Sequence, residues 1–350
     1  QQETILTDTS AKFLFFMVKG YPETFKIEIN LWPLPTGKTP QQELMTMVDL
    51  PNNIIIERIE LNRIFIKKGD HVIDKPVVIP EGYEVYFNPA TKIDLIDSAL
   101  FLSYSPVFMN GTKDEPIFIT SSDFSAMGFT VLQAEGRSQI KNVVFENLNT
   151  LNYKGWTLTG AVSFYESDVD ISYTRFYRNQ CEDALNIIRS DFYLSNSEFS
   201  FIYADAFDSD FSTGEVLNTT FVDIGNDAID FSGSEILIRD TKIINASDKG
   251  ISGGEESTLT VENCIIEHSN IGIASKDLSK VVVKSSQILD CNYGIVLLKK
   301  KPEYGPAAII LDKVDIINAK KRQLIEIGSV VINNGVEIKG TEKNVSELFY

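Results

Sequence analysis

Between residues 183 and 296 the apolar and polar positions recur on a step of 22 residues. The phrase opens as Asp183-Ala184-Leu185-Asn186 and returns at Asp205, Asp227, Lys249, Ile271 and Tyr293. Its third position is always large and apolar (Leu185, Phe207, Ile229, Ile251, Ile273, Ile295), so it points into a shared core. Its second is always Ala or Gly, as expected where the backbone bends tightly or layers crowd. The fourth drifts from Asn186, Asp208 and Asp230 to Ser252, Ala274 and Val296, and strand alternation turns it away from the core, towards solvent. A fixed period of this length marks stacked repeats. With β-branched runs such as Lys280–Lys284 and no helical periodicity, each unit reads as one coil of a parallel β-helix. Such a coil holds about three short strands, each paired with its equivalent ~4.8 Å along the axis. A leucine-rich horseshoe would need a Leu/Asn consensus that is absent.

The same rhythm divides the chain. Residues 1–60 do not carry it: Lys12–Val18 and Phe25–Leu31 read as strands, the Trp32–Gly37 stretch breaks the chain, and Thr39 caps a helix from Pro40 to Val48, ahead of Pro51. The expected organisation is a small α/β N-terminal domain or cap over 1–60, an all-β right-handed parallel β-helix over 61–340, and a tail over 341–350 that caps the open end. Asn149–Trp156 and Lys299–Pro306 interrupt the coils and predict projecting loops. The opening Gln1–Ile5 lacks the basic and apolar regions of a signal peptide, and no run of 18 apolar residues predicts a membrane span.

Charge changes the picture. The net charge of −17 argues against a nucleic-acid partner, which requires a basic footprint. From 161 to 262 there are 20 Asp/Glu against 6 Lys/Arg, net −14; from 263 to 322 there are 6 against 10, net +4. The solenoid is therefore polar along its axis, changing sign near Lys249. Cys181, Cys264 and Cys291 form no CxxC pair and read as small buried side chains, with one Cys264–Cys291 bridge as the alternative. Two distant histidines, His71 and His268, leave no His-rich metal site.

The repeat stacks carboxylates. Asp208 and Asp230 share a column one coil apart, between Asn186 and Ser252; Asp205 and Asp227 form a second pair, followed by Lys249, and Asp210 lies two residues beyond Asp208. Like charges about 5 Å apart cannot all ionise without help: either one keeps a proton or a cation is shared. The first outcome gives Asp208 and Asp230 as an acid/base pair for glycoside hydrolysis. The second gives a Ca²⁺ site from Asp205, Asp208, Asp210, Asp227 and Asp230. A third account makes these residues ordinary coil-corner caps, as Asn226, Asn270 and Asn292 are, with Asp248 interrupting that ladder. Phe192, Phe199, Phe201, Phe207, Phe211 and Phe221 read as stacked core. Tyr153, Trp156 and Tyr165 are candidate sugar-stacking rings, or a hydrophobic lid in the case of the loop residues.

Two turns, Val78-Ile79-Pro80-Glu81-Gly82 and Pro89-Ala90-Thr91-Lys92-Ile93, resemble the opening coils of bacterial right-handed β-helix proteins of the pectin-lyase-like superfamily, with Ala90 in place of the usual Gly. The resemblance covers roughly 69 to 330. More narrowly, Gly160–Ser167, Ile273–Asp277 and Lys300–Pro306 resemble the β-helix module of exported bacterial CotH-like proteins, which brings no catalytic residues; no CotH-type kinase motif is present. The superfamily holds lyases, hydrolases, epimerases and non-catalytic surface proteins. It implies an extracellular, periplasmic or cell-surface protein that binds, and in the enzymatic case processes, an acidic polysaccharide. By analogy with lyases on this fold, Ca²⁺ would neutralise a uronic-acid carboxylate while Lys249 or Lys276 abstracts the α-proton. Arg189 would clamp the substrate, and Asn186 and Ser252 would line its path. The alternative is a non-catalytic scaffold or adhesion module, with residues 1–60 docking a partner domain.

Overall fold

The computed structural model describes residues 12–17, 24–28, 37–50 and 53–350. Three parallel sheets run along the solenoid. In order within a coil, the first sheet extends from Arg63–Ile66 to Val330–Asn333, the second from Gly69–Ile73 to Asp315–Ile317, and the third from Val77–Ile79 to Lys321–Ile325. The 22-residue phrase is the third sheet. Its strands pair Asp183 with Asp205, Asp208 with Asp230, Ile229 with Ile251, and Ile273 with Ile295. Each large apolar third position is fully buried.

Stacking identical positions at strand spacing also stacks their side chains. Phe176, Phe199 and Phe221 from successive second-sheet strands lie ring on ring, with centroids 4.4 Å and 4.7 Å apart. Phe192 and Phe207 complete this core, whereas Phe201 and Phe211 do not: their rings stand 51% and 54% exposed. Both take positive φ, at +56° and +52°, at coil corners that turn the side chain outward. A serine ladder fixes another corner, with the Ser190, Ser212, Ser234 and Ser257 hydroxyls each accepting from the backbone N–H of the serine one coil before. Cys181, Cys264 and Cys291 are buried and free, so the alternative bridge is not formed. Of the expected ladder of Asn226, Asn270 and Asn292, Asn292 donates to Asn270 and Asn270 to Asp248, so Asp248 continues it, while Asn226 donates to Asp205.

Parallel pairing begins at Arg63–Ile66. Ile56–Glu60 pairs antiparallel with Arg63–Ile66 at one end of the first sheet, and Val336–Lys339 pairs antiparallel with Val330–Asn333 at the other. These reversed strands close the first sheet's edges. In the tail, Thr341 and Glu342 bond to Ile325 and Ile327 at the end of the third sheet, and the short helical turn Val345–Leu348 then folds back over that sheet's outer face. Ahead of the solenoid, Phe13–Met17 and Thr24–Glu28 form an antiparallel hairpin. The helix runs Pro40–Met45, shorter than expected, with Thr39 and Gln42 in a reciprocal capping box. The distal ends of both expected strands, Trp32–Thr36, Pro51 and the opening Gln1–Ile5 lie outside the described residues. No helix among the described residues is long and apolar enough to cross a membrane.

Candidate functional site

One outward column of the third sheet organises the site. In register it reads Val78, Leu102, Thr130, Ser163, Asn186, Asp208, Asp230, Ser252, Ala274, Val296 and Leu324. It is apolar at both ends and polar in the middle. The N-terminal end is covered by Leu44 of the helix and by the hairpin Leu151–Tyr153/Trp156–Leu158, whose Tyr153 and Trp156 pack on the Leu100–Leu102 cluster. The other end is covered by Val345 and Phe349 of the tail, against Ala274, Val296 and Leu324. The expectation that the column faces water fails at Asn186, which is 2% exposed, and at Ser252, Ala274 and Val296, which are fully buried, whereas Asp208 and Asp230 are partly exposed. Between the two plugs the column is a polar floor from Thr130 to Ser252, five strand steps or roughly 24 Å long. The hydroxyls of Thr130 and Ser252 are buried there without a hydrogen-bond partner.

Tyr153 and Trp156 are thus a hydrophobic cover rather than free sugar platforms. Tyr165 and Arg189 stand together at one rim, the Arg189 Nη1 donating to the Tyr165 hydroxyl at 2.8 Å. The Asp columns flank the floor, but the carboxylates take separate partners. Asp205 accepts from the Asn226 amide and the Asp227 backbone N–H. Asp227 pairs with the Lys249 ammonium at 3.2 Å. Asp230 pairs with Lys276 at 3.3 Å, an ion pair that reaches back across two coils. Gly254 permits this reach, since a Cβ there would stand 3.2 Å from Lys276 Cε. Asp183 and Asp208 are bridged by the Asn186 amide, at 3.1 Å and 3.4 Å. No group of three or more His, Cys, Asp or Glu among the described residues is arranged to hold a metal ion. The five aspartates named for Ca²⁺ form no such group, and four of them are held by different residues: Asp205 by Asn226, Asp208 by Asn186, Asp227 by Lys249 and Asp230 by Lys276.

Burial sets the protonation states. It lifts the Asp183 carboxyl to about 7, with Asp205 and Glu182 adding to the shift against hydrogen bonds from Thr159 and Asn186. Asp208 is raised well above the usual carboxylate range by burial and then by Asp183, Asp210 and Asp230. Burial and Glu255 also raise Asp210. For Lys249 and Lys276 burial acts downward, but Asp227 and Asp230 outweigh it and both ammoniums are raised. A proton-abstracting lysine needs the reverse, so neither is set up as a base in this geometry.

Three participants escaped the sequence reading. Thr130 and Ser163 extend the polar floor, but the inserted hairpin stretches the step between them to 33 residues and hides the register. Lys300 has its pKa lowered by partial desolvation and by Lys276, and its ammonium lies 3.9 Å from the Tyr350 ring centroid. The loop that carries it is tethered, because Asp277 accepts from the Lys300 and Lys301 backbone N–H groups and Lys301 pairs with Glu255.

Comparison with known proteins matches this geometry at the level of the fold. A family model for the right handed beta helix region matches residues 183–346. A periplasmic alginate epimerase, AlgG, superposes with a TM-score of 0.50 at 10% identity, over 81% of this chain and 82% of that one. The catalytic domain of a GH87 α-1,3-glucanase superposes at 0.44, with 13% identity over 89% and 67% of the two chains. A family 28 exopolygalacturonase from Yersinia enterocolitica superposes at 0.43, with 13% identity over 88% and 70%. No curated protein matches the sequence. With its coils matched over residues 183–346 and its three parallel sheets, the chain has the fold of a right-handed parallel β-helix.

Proposed function

We propose that the third-sheet cleft binds an acidic polysaccharide and that Asp208 and Asp230 act on one of its linkages as proton donor and facing carboxylate. One observation carries this. Asp208 lies mid-cleft in register with Asp230, and burial with its acidic neighbours raises its carboxyl well above the ordinary carboxylate range. A carboxyl so raised, one strand from a second carboxyl paired with Lys276, is the kind of pairing that glycoside chemistry uses. The strand spacing of ~4.8 Å suits a retaining rather than an inverting arrangement. A lyase or an epimerase would use the same donor with a different acceptor. Lys300 supplies positive charge near Asp230 for an acidic ligand. The structural similarity to a periplasmic alginate epimerase supports a glycan ligand and a location outside the cytoplasm.

The test is binding and turnover of alginate and polygalacturonate by the parent protein and by Asp208→Asn and Asp230→Asn. Turnover should fall by about 10²–10⁴-fold in both with the fold intact; unchanged turnover and binding in both would dispose of the proposal. A second reading, a non-catalytic scaffold, has its own support in the satisfied state of Asp205, Asp227 and Asp230. It expects no turnover by the parent protein on any glycan.

A further inference from the structure

The second sheet carries a feature that neither the core nor the third-sheet cleft uses. Both of its edges are corners where the backbone adopts positive φ. On the entry edge successive coils place Asn142, Tyr173, Asn196, Asn218, Asp240 and Asn263 at φ between +46° and +53°. On the exit edge they place Arg178, Phe201, Asp223, Asn245 and His268 at φ between +53° and +59°. Asn and Asp suit such corners because they tolerate the left-handed region. They also bond along the axis: Asn218 donates to Asn196 at 2.7 Å and Asn245 to Asp223 at 2.8 Å. Tyr173 and Phe201 break these two ladders. Each places a bulky ring where the backbone disfavours one, and each ring is turned out of the core, 57% and 51% exposed.

The two breaks flank one open groove of about 580 Å³, lined also by Asn196, Glu198, Asn218 and Thr220. Arg175 pairs with Glu198 at 3.2 Å and stacks over Tyr177 at 4.1 Å, and Tyr177 meets Phe201 edge-on at 5.8 Å. The only charged residue lining the groove is therefore already neutralised. What remains is two accessible aromatic faces around hydroxyl and amide groups, in a place where local backbone preference and burial are both violated. Such double violations concentrate at functional surfaces.

We infer that this groove is a second glycan-binding surface, recognising uncharged sugar rings. Their apolar faces stack on Tyr173 and Phe201, and their hydroxyls bond to Asn196, Asn218 and Thr220. It lies on a different sheet from the Asp208 cleft and does not depend on that cleft's chemistry.

The experiment is affinity electrophoresis through gels containing hydroxyethylcellulose, dextran or galactomannan, with Tyr173→Asn/Phe201→Asn and Asp208→Asn run alongside the parent protein. The parent protein should be retarded by at least one of the three. The double variant should lose at least tenfold in affinity while melting no lower, because it restores the residue type of the neighbouring coils. Asp208→Asn should be retarded like the parent. Absence of retardation on all three polymers would overturn the inference, as would retardation kept by the double variant or lost equally in Asp208→Asn. A lower melting temperature in the double variant would show the rings to be part of the fold, and would overturn it too.

Discussion

Asp183 offers the sharpest physical test of the cleft. It is 2% exposed, one strand from Asp205, and accepts a hydrogen bond from Asn186 at 3.1 Å. Burial moves its carboxyl from the ordinary 3.8 to about 7. At 1.36 kcal/mol per pH unit this corresponds to about 4 kcal/mol, an upper bound because neighbouring groups relax. The sign follows from proton binding. Between about pH 4 and pH 7 the folded protein holds a proton on Asp183 that the unfolded chain has released, so stability falls as pH rises through that window and levels off above it. This is the reverse of a salt-bridged carboxylate.

Asp183→Asn should imitate the protonated form, since its amide oxygen still accepts from Asn186. The variant should match the parent near pH 4 and be more stable by about 1–4 kcal/mol near pH 8. Urea unfolding at several pH values measures this, with equal m-values required before midpoints are compared, because a solenoid can unfold in parts. A variant that is less stable at pH 8, or an effect independent of pH, would show that Asp183 is ionised and structurally paired in the folded state.

Two further outcomes follow from the packing. Phe199→Ala removes a fully buried ring from between Phe176 and Phe221 and should cost about 3–5 kcal/mol in urea unfolding; a cost below about 1 kcal/mol would mean that the aromatic stack is not the core. Saturating Ca²⁺ should leave the melting temperature unchanged, because Asp205, Asp227 and Asp230 are already held by Asn226, Lys249 and Lys276. A gain of about 2.7 kcal/mol at a hundredfold excess over Kd would show instead that they regroup around the ion.

Why the architecture was legible while the site was only half so can be put physically. A 22-residue step with an invariant apolar column is a local, periodic signal, and Leu185, Phe207 and Ile229 could hardly serve any other register. Strand alternation also gave the outward direction of Asn186, Asp208 and Asp230 correctly. It could not tell what lies over the two ends of their column. The covers there come from Leu44 and from Val345 and Phe349, segments far away in sequence with no periodic relation to the column. Phe201 and Phe211 were misplaced for a related reason. Composition favours burying a phenylalanine, but the corner's positive φ decides where the ring points.

The charge gradient along the chain acquires a different meaning once the pairs are placed. Read as sequence, the change of sign near Lys249 suggested a solenoid acidic at one end and basic at the other. In the fold, lysines on either side of that change of sign pair with aspartates of the acidic zone. Lys249 closes on Asp227 one coil back, and Lys276 crosses over Gly254 to Asp230 two coils back. Asp183 and Asp208, further towards the N-terminus, are beyond that reach and have the neutral amide of Asn186 between them. Desolvation raises the carboxyls of Asp183, Asp208 and, even beside the Lys249 ammonium, Asp227, which is pushed up to about 7. In the outward column itself the two carboxyls differ in company: Asp208 has an amide and further carboxyls beside it, and Asp230 has the Lys276 ammonium, so the proton-holding and cation-paired members stand one strand apart.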